Sequence, residues 1–176
     1  MPLLSEITLD SNCLSFLIAA LEGIARPTDN LTDEKIALVR IYLYTSGTLW
    51  VTPTVKREFE RIKDAAKKGR HQRWTSSNFG VRPVNDPSAI KRRGTNLKRF
   101  HPGKNDRTVL AEAEDIGFAT LLSFDQKFVK RLAPHARLTL TTPGEFWISL
   151  AIPKGAEPNK EPTPDNPLSM QQWWQW

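Results

Sequence analysis

The sequence predicts an α/β fold: three α/β/α layers around a central, mostly parallel sheet. Two observations carry this. Short β-favouring runs alternate with longer stretches of helical periodicity, the pattern of a parallel sheet joined by crossover helices. Two of those runs, Ile7-Thr8-Leu9 and Ala119-Thr120-Leu121-Leu122-Ser123, are each followed closely by an aspartate, Asp10 and Asp125, that can cap the next helix.

Ile7-Thr8-Leu9 reads as the first strand, and Leu14, Leu17, Ile18 and Leu21 as the apolar face of a first helix. Residues 27–31 form a loop. Thr32-Asp33-Glu34-Lys35 opens a second helix whose buried stripe is Ile36, Val39 and Leu43, and Ser46-Gly47 ends it. Leu49-Trp50-Val51-Thr52 is a second strand. Pro53 or Thr54 starts a third helix, with Val55, Phe59 and Ile62 inward and Glu60 in solvent. Residues 63–104 read as the least regular part, since Pro83 and Pro87 break helical pattern. Asp106 then precedes Val109, Leu110, Ala113 and Ile116, a helical face that ends at Gly117. The run 119–123 is a buried strand. Phe128, Val129 and Leu132 mark a short helix, Leu138-Thr139-Leu140 a further strand, and Thr142-Pro143-Gly144-Glu145-Phe146 a turn into a last helix through Leu150. Residues 153–176 hold five of the 13 prolines and no apolar periodicity, the composition of a tail. Three of the six tryptophans close it (Trp173, Trp174, Trp176), and they are expected to pack on this domain, a second copy or a partner.

Composition narrows the function classes. The chain of 176 residues is 39% hydrophobic with a mean hydropathy of −0.44, which suits one globular domain. It has no apolar run of the ~18 residues that a membrane span needs. Its first ten residues lack a basic segment followed by a long apolar core, so no signal peptide is expected. The single cysteine, Cys13, reads as a small buried apolar residue and is consistent with a reducing cytoplasm. Charge is concentrated: residues 56–107 hold 16 of the 25 Lys and Arg against five acids, a net +11, and the rest is −5. A polyanion is the natural partner. Lys67, Lys68, Arg70 and Arg73 form one cluster; Lys91, Arg92, Arg93, Lys98, Arg99 and Lys104 form another. Interleaved Trp74, Phe79 and Phe100 could stack unpaired bases or lie in the core.

A helix that precedes a parallel strand runs antiparallel to it. The start of the helix at Asp106 and the end of the strand before Asp125 therefore share one sheet edge, the edge where open α/β sheets bind ligands. Asp10 follows the first strand, and Glu58 lies near the start of a helix that follows the second. Four carboxylates at one edge call for a compensating charge. Oxygen-only ligation favours Mg²⁺ or Mn²⁺, which can activate water for attack on a phosphodiester. Glycine-rich phosphate loops and a G-x-S-x-G elbow are absent, and His71, His101 and His135 lack zinc spacing and read as surface residues.

The stretches TLDSNCLSFLIAA, TVKRE, NDRTVLAEAE and LLSFDQKF, taken in order, resemble the four acidic motifs of PIN domains over roughly residues 5–150. Within that family the chain is similar to VapC-type toxins of toxin–antitoxin pairs. The resemblance implies a Mg²⁺-dependent ribonuclease leaving 3′-hydroxyl and 5′-phosphate ends. It also implies a homodimer and an antitoxin that inserts a peptide at the active site. Carried over by position, Asp10, Asp106 and Asp125 would be metal ligands, and Glu58 a ligand or the residue that orients water. Ser123 matches a Ser/Thr near that site. With Lys91, Arg92, Arg93 and Arg99 it is assigned to substrate binding. The expected organisation is a PIN-like nuclease domain over 1–152 and a Pro-rich, Trp-terminated tail over 153–176. A basic 63–104 segment and the tail lie outside the family pattern. The alternatives are a nucleic-acid-binding protein with a structural acidic cluster, an RNA-processing PIN protein outside a toxin–antitoxin pair, a DNA-directed nuclease, and an interaction module worked through the tail.

Overall fold

Ile7, Thr8 and Leu9 form strand β1 at the centre of a five-stranded sheet, buried on both faces as its β-branched and apolar sequence requires. The structure is a computed structural model that describes residues 6–176. The expectation of no signal peptide falls partly on residues 1–5, outside the described residues. The elements follow in the order α1 (Ser11–Leu21), α2 (Thr32–Tyr44), β2 (Leu49–Val51), α3 (Pro53–Glu60), α4 (Ala65–Ser77), β3 (Gly80–Val81), α5 (Pro87–Leu97), α6 (Lys104–Ile116), β4 (Thr120–Leu122), α7 (Gln126–Leu132), β5 (Thr139–Thr141) and α8 (Pro143–Ser149).

The sheet order is β3-β2-β1-β4-β5 and every pairing is parallel, with Ile7 opposite both Leu49 and Thr120. The chain steps outward from β1 to β2 to β3, then crosses back to β4 and on to β5. Crossovers of one hand put the helices of these two halves on opposite faces. The fold is thus the expected three-layer α/β/α arrangement. Helix α2 packs on α1 and α8, while α5 packs on α6. The order reverses between β1 and β4, so the switch point lies where those two strands end, at Asp10 and Ser123.

Local sequence accounts for most element ends. Asp10, Thr52, Asp125 and Thr142 each cap the helix that follows their strand, accepting from a backbone N–H in its first turn. Gly117 closes α6 in the left-handed region at φ 90°, where a side chain is disfavoured. Cys13 is fully buried, and that burial pushes its thiol well above the usual range.

Several expectations are corrected. Residues 63–104 are not irregular: they hold α4 and α5. Asp64 caps α4 through Lys67 N, and Asp86 caps α5 through Ser88 and Ala89 N, so Pro87 begins a helix rather than breaking one. Both helices are almost wholly polar, with His71 and Leu97 their buried members, and so lack an apolar stripe to read. In α2, Ile36 is only half-buried, while Ala37, Leu38 and Ile41 are buried between α1 and α8. Trp74 stacks on Phe79 and donates its indole N–H to Glu22, and Phe100 stacks on His135, so these rings serve the protein's own packing. His71 and His101 are buried at 2% and 6% exposure, not on the surface.

Candidate active site

Three of the four expected carboxylates meet. Asp10 at the end of β1, Glu58 on α3 and Asp106 in the first turn of α6 line one cavity of about 210 Å³ with Ser11, Asn12, Val109 and Phe128. A second cleft shares Ser11, Asn12 and Glu58 with it and runs on to Lys67 and His71 of α4. The basic helix α4 therefore borders the site on its Ser11–Glu58 side.

Each carboxylate is held by the protein. Asp10 Oδ1 accepts from Cys13 N at 2.8 Å, and Oδ2 accepts from the Ser123 hydroxyl. The same hydroxyl accepts from Asp125 N at 3.0 Å, so Ser123 links the ends of β1 and β4. Glu58 accepts from Asn105 Nδ2 at 2.6 Å and from the Ser11 hydroxyl. Asp106 Oδ2 lies 2.7 Å from His101 Nε2. Burial pushes the Asp10 carboxyl above its ordinary range, with the charge of Asp106 adding to the rise and hydrogen bonds from Ser123 and Cys13 opposing it. Glu58 is raised likewise, by burial first, against the hydrogen bond from Asn105, and then by Asp106.

Asp125 is not in the cavity. It is exposed, and its Oδ1 accepts from Lys127 and Phe128 N at 2.9 and 3.0 Å as the cap of α7. Ser123 has 0% exposure, so the contact with substrate expected of it is replaced by its contact with Asp10. Arg93, expected at the substrate, is engaged within the protein. It forms a two-pronged ion pair with Glu114 at 2.7 and 2.9 Å and also donates to the His135 carbonyl. Lys91, Arg92 and Arg99 are exposed; Arg92 is 3.9 Å from Asp86, and the Arg99 guanidinium lies 4.5 Å from the Phe100 ring centre.

Sequence reading missed Ser11, Asn105 and His101, which touch the carboxylates. The first two sit one residue from a named acid and could have been found by that adjacency. It also missed Glu112, which joins α3 to α6. Its buried carboxylate accepts from Thr54 N and Oγ1 at 2.8 Å and from Arg57 at 3.2 Å.

The donor set fits a hard divalent cation in its chemistry: three carboxylates face one cavity, two of them raised by burial and by the third. Among the described residues, no three His, Cys, Asp or Glu side chains already converge on one ion-sized point. The carboxylates are turned instead to hydroxyl, amide and imidazole partners. No helix among the described residues is long and apolar enough to cross a membrane.

Neither a protein-family model nor a curated protein sequence matches the chain. Among solved structures it is similar to VapBC2 from Rickettsia felis bound to a DNA fragment from their promoter, at a TM-score of 0.49 and 16% identity, over 77% of this chain and 98% of that one.

Proposed function

We propose that the chain is a PIN-type, divalent-metal-dependent endoribonuclease and the toxin of a toxin–antitoxin pair, working as a homodimer held in check by an antitoxin. The observation that carries the nuclease reading is the meeting of Asp10, Glu58 and Asp106, from three separate elements, in one cavity at the switch point of a parallel sheet. The four acidic motifs in order support the toxin reading. Asp10, Glu58 and Asp106 would hold Mg²⁺ or Mn²⁺. Such an ion supplies Lewis-acid activation of water and neutralises charge on the phosphoryl oxygens. The chain's own part is to fix the ligands and the substrate. Ser123 and the α1 N-terminus hold Asp10, and Ser11 and Asn105 hold Glu58. Lys67, exposed beside Glu58, and the exposed Lys91 and Arg92 of α5 would bind phosphates along the strand.

One observation favours a second reading. The carboxylates are not gathered on a single point among the described residues, as a basic RNA-binding protein with a structural acidic cluster would also show. The deciding experiment incubates purified protein with RNA, and with DNA of the same sequence, in Mg²⁺, Mn²⁺ or EDTA, beside Asp106→Asn. RNA cut only with metal, and a loss in Asp106→Asn beyond the roughly 10–100-fold typical of an outer-shell change, is the expected result. Metal-independent binding without cutting selects the second reading, and cutting of DNA in preference to RNA overturns the substrate assignment.

A further inference from the structure

We infer that His101 is a positioning residue for Asp106, and that Gly103 and Arg107 are built to let it act: the loop between α5 and α6 fixes which oxygen of that carboxylate is presented to the cavity. This rests on the metal-site reading above. Asp106 stands in the first turn of α6 with its side chain 44% exposed, where an aspartate is free to turn to solvent. It is not left free. His101 Nε2 lies 2.7 Å from Oδ2, a distance at which the imidazole N–H donates to an ionised carboxylate. Oδ1 accepts no hydrogen bond among the described residues.

The imidazole gains little for itself. It is 6% exposed, and its Nδ1 is buried with no hydrogen-bond partner among the described residues. Leaving a buried polar atom unpaired costs stability. A half-satisfied buried ring whose other nitrogen grips a site carboxylate is a feature that function explains better than stability does.

The surroundings are arranged for that grip. The Arg107 guanidinium, itself buried, donates to the carbonyls of Gly94, His101 and Pro102, tying the loop to the last turn of α5. Phe128 flanks the imidazole with ring centres 5.5 Å apart. Gly103 supplies the room. A Cβ there would stand 2.7 Å from His101 Nε2 and closer still to Asp106 Oδ2, crowding both partners. Its φ of −61° is open to any residue, so contact and not backbone freedom calls for glycine at this position. His101, Gly103, Asp106 and Arg107 therefore form one unit whose product is an oriented carboxylate.

The test uses the full chain, Mn²⁺ binding by calorimetry and RNA cleavage across Mn²⁺ concentration. Removing a hydrogen-bond partner of a ligand typically costs about 10–100-fold in metal affinity. His101→Ala is expected to weaken Mn²⁺ binding by that factor, with cleavage restored by excess Mn²⁺. His101→Gln, whose amide can still donate, should recover much of the loss. Gly103→Ala should match His101→Ala, and the double variant should be no worse than either, since both remove one contact. Nitrogen NMR of the wild type should show His101 protonated at Nε2, a readout that stands even where His101→Ala fails to fold. Wild-type Mn²⁺ affinity in a folded His101→Ala, additive losses in the double variant, or a proton on Nδ1 alone would each overturn the inference. A wild type that neither binds Mn²⁺ nor cuts RNA overturns the proposed function as well, which separates the two failures.

Discussion

Asp10 has three tasks that pull against one another. It caps α1 through Cys13 N, accepts from the buried Ser123 hydroxyl, and lines a cavity with Asp106. Capping favours the ionised form; burial and the neighbouring charge oppose it and prevail, so the folded-state pKa is raised. The linkage sign follows. The folded chain holds this proton more tightly than the unfolded chain, so stability is unaffected below the ordinary aspartate range of about 4 and falls as pH rises above it. Glu58 acts in the same direction. At pH 7 without metal, the raised affinity of both acids for a proton therefore counts against the fold. Asp10→Asn, which can still cap the helix, should melt higher than the wild type in EDTA at pH 7, by about 2–4 °C for each kcal/mol relieved. The gap should close near pH 4, and Mg²⁺ should raise the wild type's melting temperature more than the variant's. An Asp10→Asn protein that melts at or below the wild type at pH 7 would show that this burial cost is not expressed. The position of Asp10 was legible in the sequence because a strand-then-aspartate pattern fixes both cap and edge. The role of His101 was not, because it depends on a loop bend that brings together residues with no periodic relation.

Helices α4 and α5 show what periodicity misses. In the sequence their charges read as a footprint and Pro83 and Pro87 as breaks, yet an N-cap aspartate marks where each begins, with Pro87 in the first turn of α5. Those signals are local and survive where the apolar stripe is lost. Within α5 the basic residues then divide by contact. Lys91 and Arg92 are exposed, whereas Arg93 is bound by Glu114, with side-chain exposures of 18% and 4% for the pair. The pair ties α5 to α6, and so to Asp106. Lys91→Gln/Arg92→Gln should leave the melting temperature nearly unchanged and, if both touch phosphates of single-stranded RNA, reduce the slope of log affinity against log salt by about 1.4. Arg93→Gln should do the reverse: a stability loss of about 3 kcal/mol from the Glu114 carboxylate left with only the Arg137 backbone N–H, and little change in salt slope. Binding isotherms at four salt concentrations and thermal melts of both variants separate the two effects. An Arg93→Gln protein with wild-type stability and a reduced slope would return Arg93 to the substrate-binding set.

At the scale of the molecule, the C-terminal segment is folded onto the domain at the end remote from the carboxylates. Apart from one short turn at Pro167–Met170 it carries no helix or strand, and composition says nothing about where a Trp-rich segment docks. Here it closes helix ends. Lys160 reaches the carbonyls of Tyr42, Thr45 and Gly47 at 3.3 Å each, and Asn159 donates to Tyr44 O at 2.7 Å, satisfying the C-terminus of α2. Asn166 does the same for Leu21 at the end of α1. Trp174 is buried at 6% exposure, with its indole donating to the Leu168 carbonyl, and Arg40 holds the Trp174 and Gln175 carbonyls. Trp176 meets Trp147 edge-on with ring centres 5.5 Å apart. Helices α1 and α2 end where the parallel strands begin, so these ties lie across the sheet from Asp10. Loss of the tail should therefore cost stability without altering the site. Trp174→Ala should lower stability by about 3–5 kcal/mol, which is about 10 °C in melting temperature for a chain of this size. RNA cleavage per folded molecule, measured well below that transition, should match the wild type. If the segment instead serves chiefly to bind a partner, Trp174→Ala will melt as the wild type does and lose that partner. A wild-type melting curve would show that the tail's contacts with α1, α2 and α8 do not hold the fold together in solution.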